Sequence, residues 1–186
     1  MADTETEEEG GPVRFMSELV SLVYDAAPSR TARRFAERLR EGVIPGHKCP
    51  ACGMVYVPPR GYCPLCVVET TEANEVEVAN VGTITTFSVI TPLQYQGQEE
   101  TEDYVQATLL LDGADTTIMV MRMDGIAIGD VRMGMRVRAV FPPAHDGSAS
   151  DSRSIARGMG LGDAVDHWEP TGEPDLTREQ IAEHIL

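Results

Sequence analysis

The feature that most constrains the fold is the spacing of the chain's four cysteines. They form two Cys-x-x-Cys pairs separated by ten residues: Cys49, Cys52, Cys63 and Cys66. Each pair lies in a proline-containing turn that can direct two thiolates toward one point. Two such turns supply the four soft ligands of tetrahedral zinc, and four thiolates leave no coordination position for water or substrate. The spacing therefore predicts one structural Zn²⁺ ion held by these four cysteines.

Two other uses of the cysteines explain the pattern less well. A redox Cys-x-x-Cys pair usually occurs singly near a strand–helix junction, and disulfide frameworks belong to small secreted chains. Residues 1–12, which we interpret as a disordered acidic start, lack the apolar centre of a secretion signal. Gly53 suits a backbone at positive φ after the first pair, whereas Val67 makes the second pair the weaker match. We expect a cytoplasmic protein.

The charge of the chain bears on its partners. The net charge is −15 at pH 7, which repels phosphate backbones and counts against nucleic-acid binding. No apolar run is long enough to cross a membrane. The charge is unevenly distributed along the chain. Residues 13–68 contain eight Arg or Lys and four acids, whereas residues 142–186 contain nine acids and three Arg.

Two helices are predicted in residues 13–42, before the first cysteine turn. In the second, Thr31 is a plausible N-cap for a helix over 32–41, and Phe35 and Leu39 fall on its apolar stripe. This stripe either packs on the chain's own core or presents a docking surface, and the sequence favours neither alternative.

The next two segments change from helical to strand-like periodicity. Residues 43–70 contain the cysteine turns and one short strand, the arrangement of a zinc ribbon, whose small core makes it depend on the metal for stability. Residues 71–143 contain some five antiparallel strands. The first is long and is expected to bend at Gly82. Such a set is typical of a small closed barrel of the OB type.

The final segment, residues 144–186, is predicted to be an irregular extension that ends in a short docking helix. Thr177 to Gln180 has the capping-box pattern, and Ile181 and Ile185 share a face of the helix that follows. Trp168 is the chain's only tryptophan. We expect it either to anchor a partner interface or to pack on the barrel.

The order of these parts resembles one family. N-terminal helices precede Cys-Pro-x-Cys-Gly at 49–53, Pro-Pro-Arg at 58–60, Cys-Pro-x-Cys at 63–66, a glycine-bent first barrel strand and Gly-Met-Arg-Val at 134–137. Over residues 30–143 the chain is similar to the DUF35 family. The resemblance implies a mainly β protein with N-terminal helices, in which a rubredoxin-like zinc ribbon is followed by a five-stranded OB-fold barrel and an extended C-terminal tail.

The same resemblance implies a non-catalytic accessory subunit of a thiolase-superfamily enzyme. Similar modules assist thiolases, acyltransferases and thiolase-like aldolases that act on acyl-CoA thioesters. In steroid side-chain breakdown, the modules that pair with the aldolases also pair with acyl-CoA hydratases. The residues agree, because every cysteine is assigned to the ribbon and none remains as a nucleophile. The four histidines are interpreted as surface residues, with a position beside the metal as the alternative for His47.

Two candidate surfaces follow from this interpretation. The cations nearest to a CoA phosphate on the barrel are Arg132, Arg136 and Arg138, although solvent-facing charge on an edge strand is the favoured explanation of them. The candidates for partner contact are Phe35, Leu39, Trp168, Ile181 and Ile185. The alternative function is binding of single-stranded nucleic acid, which would need a basic groove lined with stacking aromatics.

Overall fold

The computed structural model describes residues 27–91, 102–142 and 164–183. These residues form two helices, α1 and α2, and ten strands, β1 to β10. The helices are α1 (Arg30–Arg40) and α2 (Arg178–Ala182), and the strands are β1 (Ile44–Lys48), β2 (Val55–Tyr56), β3 (Tyr62–Cys63), β4 (Val68–Glu69), β5 (Glu75–Val78), β6 (Val81–Ile90), β7 (Tyr104–Leu111), β8 (Thr117–Met123), β9 (Arg136–Val140) and β10 (His167–Pro170). Among the described helices, none combines the length and the apolar character that crossing a bilayer requires.

Helix α1 is packed onto the chain's own core. It begins after Ser29, whose Oγ accepts a hydrogen bond from the Ala32 amide at 3.1 Å. The predicted N-cap, Thr31, is therefore wrong by two residues. Phe35 and Leu39 are 2% and 3% exposed and belong to the main hydrophobic cluster. The other predicted helix and the acidic start lie outside the described residues.

Ion pairs fix the orientation of α1 on the strand beneath it. The guanidinium of Arg34 donates to both carboxylate oxygens of Glu75 on β5, at 3.0 and 3.1 Å. Arg38 reaches the same carboxylate at 3.2 Å and Glu77 at 2.8 Å. The two arginines therefore hold the helix to β5 while its apolar stripe faces the core.

Strand β5 belongs to the ribbon and not to the barrel. The sequence predicted one long strand from residue 76 to residue 90, but β5 pairs antiparallel with β1, and the chain enters the barrel only at β6. The register shift in β6 lies between Ile84 and Thr86, not at Gly82. Gly82 has a different role: a Cβ there would lie 2.6 Å from the carbonyl oxygen of Leu110. It permits the close approach of β6 and β7.

The barrel is closed by a strand from the C-terminal extension. The strand order is β10-β8-β7-β6-β9, with β10 parallel to β8 and antiparallel to β9. The sequence had placed all barrel strands within residues 71–143, with antiparallel pairing throughout, and both points are corrected. Trp168 on β10 is 1% exposed and lies in the main core. Its large apolar side chain explains why a strand of four residues can complete the barrel.

The ribbon and the barrel are joined by hydrogen bonds as well as by a shared core. Val55 on β2 donates its amide to the Asp115 carboxylate at 2.8 Å and accepts from the Asp115 amide at 2.9 Å. The hydroxyl of Thr116 accepts from the Val57 amide at 2.9 Å. These contacts attach β2 to the turn between β7 and β8, so the metal-binding turns have a defined position on the barrel.

Candidate functional site

The four cysteines converge as their spacing predicted. Their Sγ atoms all lie within 4.8 Å of one another, and Cys52 Sγ lies 3.8 Å from Cys63 Sγ. A tetrahedral ion with Zn–S bonds of about 2.3 Å separates its sulfurs by roughly 3.8 Å. The geometry fits one zinc ion with four thiolate ligands, and the ion would stabilise the ribbon without offering a position for chemistry.

The two turns that hold the cysteines have the same backbone conformation. The amide of Gly53 donates to the Cys49 carbonyl at 2.9 Å, and the amide of Val67 donates to the Cys63 carbonyl at 2.8 Å. Both residues have positive φ, +80° for Gly53 and +54° for Val67. The second turn is therefore complete although it has valine in place of glycine.

Hydrogen bonds to sulfur favour the thiolate form that binds metal. Amides of the first turn donate to Cys49 Sγ at 3.4 and 3.5 Å, and the Cys66 amide donates to Cys63 Sγ at 3.5 Å. The Tyr56 hydroxyl lies 3.2 Å from Cys63 Sγ. This hydrogen bond lowers the pKa of Cys63 to about 6 and helps to raise the pKa of Tyr56. The role of this tyrosine could not be predicted from the sequence, because the contact spans two separate strands.

The pKa of Cys66 moves in the opposite direction. Its thiol is hydrogen-bonded with Cys52 and partly shielded from water, and these two effects raise the pKa of Cys66 to about 12. Four thiolates at these distances repel one another, so a dication is needed to hold all of them in the charged form. The cluster is therefore built for a metal ion and not for a free nucleophilic thiolate.

His47 is buried beside the ribbon, which corrects its interpretation as a surface residue. It is 3% exposed, and its Nδ1 lies 3.1 Å from the Thr70 hydroxyl. Burial lowers the pKa of His47, which favours the neutral ring. His167 on β10 is hydrogen-bonded to the carboxylate of Asp166 at 2.8 Å. His145 and His184 lie outside the described residues.

The three candidate arginines for CoA phosphates are all paired with carboxylates of the C-terminal segment. Arg132 contacts Asp175 at 2.5 Å, Arg136 contacts Glu173 at 3.3 Å, and Arg138 contacts Glu169 at 2.6 Å. A CoA phosphate would have to displace these acids. The alternative, solvent-facing charge on an edge strand, is wrong about the edge, because β9 is hydrogen-bonded to β6 on one side and to β10 on the other. The side chains of Arg132 and Arg138 do face solvent, since both are 57% exposed.

Most of the candidate partner contacts are interior residues of this chain. Phe35, Leu39 and Trp168 are 1–3% exposed and Ile181 is 6% exposed. Side chains so completely covered have almost no area to offer a partner, so the expectation that they form a docking surface is corrected. Ile185 lies outside the described residues. The capping box of α2 is present as predicted, with Thr177 and Gln180 each accepting from the other's amide.

A cavity at the barrel surface is acidic. It has a volume of about 310 Å³, and its charged lining comprises Glu102, Asp103, Asp124 and Arg122. Arg122 is paired with Asp124 at 3.4 Å and lies over the Tyr104 ring. Carboxylates in such a cavity repel phosphate groups. The cavity therefore does not favour a nucleotide or a nucleic-acid backbone.

Comparison with known proteins agrees with this architecture. Residues 36–71 match the family described as ChsH2, rubredoxin-like zinc ribbon domain, and residues 75–142 match the family described as ChsH2, C-terminal OB-fold domain. The chain finds no match among curated proteins.

Two solved structures are similar to the chain. One is described as an Ltp2-ChsH2(DUF35) aldolase, with a TM-score of 0.53 and 24% identity over 66% of this chain and 91% of that chain. The other is a DUF35 family protein of unknown function from Sulfolobus solfataricus, with a TM-score of 0.49 and 21% identity over 60% of this chain and 78% of that chain. The first similarity supports the fold, a zinc ribbon joined to an OB barrel.

Proposed function

Since the chain belongs to the DUF35 family, with ChsH2-type zinc ribbon and OB-fold domains over more than half of its residues, we propose that it is a non-catalytic accessory subunit. It binds and stabilises a thiolase-superfamily enzyme that acts on acyl-CoA thioesters. The observation that carries this proposal is that all four cysteines of the chain form one metal site. Thiolase-type chemistry needs a free, activated thiolate, so the partner supplies it.

The histidines of the described residues support the same conclusion. A general base must lie within hydrogen-bonding reach of the group it deprotonates. His47 is buried against Thr70, and His167 is bonded to Asp166. The Thr70 hydroxyl beside His47 is only 4% exposed, so it is closed to an acyl substrate, and the partner of His167 is a carboxylate and not a nucleophile. The chain therefore acts by contact with its partner.

The finer identity of the partner is proposed from the neighbouring structure. That assembly joins a ChsH2(DUF35) chain to Ltp2 and is described as an aldolase. We extend this arrangement to the present chain: the partner is a thiolase-like aldolase, and the substrate is the CoA thioester of a steroid side chain or another lipid. In this scheme an acyl-CoA hydratase is a third member, and the complex is placed in the cytoplasm.

Contact with CoA is assigned to the partner's side of the interface. The candidate arginines Arg132, Arg136 and Arg138 are paired with carboxylates, and the described cavity at the barrel is acidic. The phosphates of CoA need cations, and the described part of the barrel offers none of these arginines unpaired. The barrel is thus proposed to lie near the thioester entrance without binding the phosphates.

Co-expression with the thiolase-superfamily enzyme encoded beside this chain tests the proposal. We expect the two proteins to purify together in a fixed ratio, and we expect acyl-CoA turnover by the complex but not by the zinc-loaded chain alone. A matched chain with all four cysteines changed to serine should lose the partner together with the metal. An enzyme that is equally soluble and active without the chain, or turnover by the chain alone, would refute the proposal.

The alternative function predicts a different result. A single-stranded nucleic-acid binder needs cations and stacking aromatics along a groove. The described cavity at the barrel is acidic, so we expect oligonucleotides not to bind at any salt concentration of a titration. Affinity for oligonucleotides at physiological salt, without affinity for the enzyme, would favour the alternative.

A further inference from the structure

The second cysteine turn presents three exposed apolar side chains. On the hairpin from Tyr62 to Val67, which contains β3, Tyr62 is 55% exposed, Leu65 is 66% exposed and Val67 is 84% exposed. Large apolar side chains gathered on one short, metal-fixed hairpin differ from the single exposed residues that any surface has. We call this segment the second-knuckle hairpin.

Val67 is unfavourable for the chain's own stability. Its φ of +54° lies in the left-handed region, which β-branched residues rarely adopt. The equivalent position of the first turn is Gly53, which has the same hydrogen bond and no side chain. Since Val67 is 84% exposed, its side chain gains almost no packing in return for the strain. Strain of this kind indicates a role outside the fold.

The charges beside the hairpin indicate the chemistry of its partner. The guanidinium of Arg60 lies 5.7 Å from the centre of the Tyr56 ring, and that tyrosine contacts Cys63. Lys48 adjoins the first turn, within 3.9 Å of the position of a Cβ on Gly53. Neither cation has an ion-pair partner within the described ranges 27–91, 102–142 and 164–183. Glu69, the cross-strand partner of Tyr62, is exposed as well, so charges of both signs surround the apolar side chains and the surface is complementary to an apolar depression with a polar rim.

A second copy of this chain is the less suitable occupant. In a symmetric dimer the patch would have to be complementary to itself, and three exposed apolar side chains offer one another no depression to fill. The net charge of −15 also opposes association of two copies.

We propose that the second-knuckle hairpin is the docking surface of the ribbon for the thiolase-superfamily partner, with Leu65 and Val67 inserted into an apolar depression that has a polar rim. This inference rests on the proposed function and specifies which part of the chain makes the contact. Zinc fixes the hairpin in the bound conformation, which lowers the entropy that binding must overcome.

Val67→Gly separates binding from stability. Glycine relieves the left-handed backbone but removes the exposed apolar side chain, so the zinc-loaded variant should have a melting temperature equal to or above that of wild type while its Kd for the partner rises about tenfold. Leu65→Ser should weaken binding by a similar factor without a change in melting temperature. The matched control is Met119→Ser on β8, which is 54% exposed and should bind within about twofold of wild type.

The outcomes distinguish the two proposals. If wild type does not bind the enzyme, the proposed function fails and this inference fails with it. If wild type binds and both hairpin variants bind equally well, only the docking surface is refuted. Sedimentation equilibrium measures the oligomeric state of the chain. A wild-type dimer that Leu65→Ser converts to a monomer would assign the hairpin to a second copy and overturn the inference.

Discussion

Replacing Arg136 with alanine tests whether the arginines of β9 hold the barrel closed. Its guanidinium donates to the Thr83 hydroxyl at 2.9 Å and to both oxygens of Asp112 at 2.7 and 2.5 Å. It also contacts Glu173 at 3.3 Å. Its side chain is 12% exposed, and Thr83 is 2% exposed. These contacts join β9 to β6, to the turn after β7 and to the C-terminal segment.

The cost of the substitution follows from the exposure of each partner. Loss of the donor leaves the buried Thr83 hydroxyl short of a hydrogen bond, which costs about 1–3 kcal/mol. Asp112 is 51% exposed, so water can replace part of the hydrogen bonding that its carboxylate loses with the arginine. The bidentate ion pair between Arg136 and Asp112 therefore contributes about 1 kcal/mol. We therefore expect Arg136→Ala to lower the free energy of unfolding by about 2–4 kcal/mol.

Two other arginines provide matched controls. Arg132 and Arg138 each pair with one acid of the C-terminal segment, but both side chains are 57% exposed. Exposed ion pairs contribute little, so alanine at either position should cost less than about 1 kcal/mol. Urea unfolding at a fixed zinc concentration, followed by the fluorescence of Trp168, measures all three. Equal costs at the three positions would refute the argument that burial decides the contribution.

Three further predictions concern the metal, the backbone and pH. Chelation of zinc should convert four slowly reacting thiols into four that react rapidly with a thiol reagent; a purified chain without zinc, or with four reactive thiols, would contradict the metal site. Gly134→Ala should destabilise the chain by more than about 1 kcal/mol, because φ is +88° and a Cβ would lie 2.4 Å from the Leu176 carbonyl oxygen. The control is Gly129→Ala, where a Cβ would have no atom within 4 Å. Equal melting temperatures of the two variants would contradict the reasoning. Arg34 lowers the pKa of Glu75 from its ordinary value of 4.5, so the stability that this carboxylate adds is present above pH 4.5 and is lost as the pH falls below it. The difference in urea midpoint between wild type and Glu75→Gln should therefore shrink as the pH falls below 4.5. A constant difference would show that the ion pair does not contribute.

The metal site could be predicted because its determinants are local. Two Cys-x-x-Cys turns orient their thiolates through backbone geometry within a few residues, and the coordination preference of zinc does the rest. The strand-rich character of residues 71–143 was predicted for a similar reason, since strand periodicity is visible in sequence. Val67 was recognised as the unusual residue of the second turn, but its exposure was not.

The closure of the barrel could not be predicted in the same way. Strand β10 has four residues, lies in an acidic and glycine-rich extension and has no clear alternation. It becomes a strand because it completes the hydrogen bonds of β9 and buries Trp168 between β8 and β9. The same long-range pairing brings Glu169 to Arg138 and covers Trp168, which the sequence offered as a partner contact.

The sequence by itself determined the zinc ligands, the presence of a ribbon followed by a barrel and the absence of a spare thiol, because each of these depends on residue type and short spacing. The tertiary structure decided which residues remain exposed to meet a partner. Phe35 and Trp168 are inside, the arginines are paired, and Leu65 and Val67 are outside on the metal-fixed hairpin. Exposure depends on the whole arrangement of the chain, and amphipathic spacing alone does not reveal whether an apolar stripe is covered by the chain itself or by another protein.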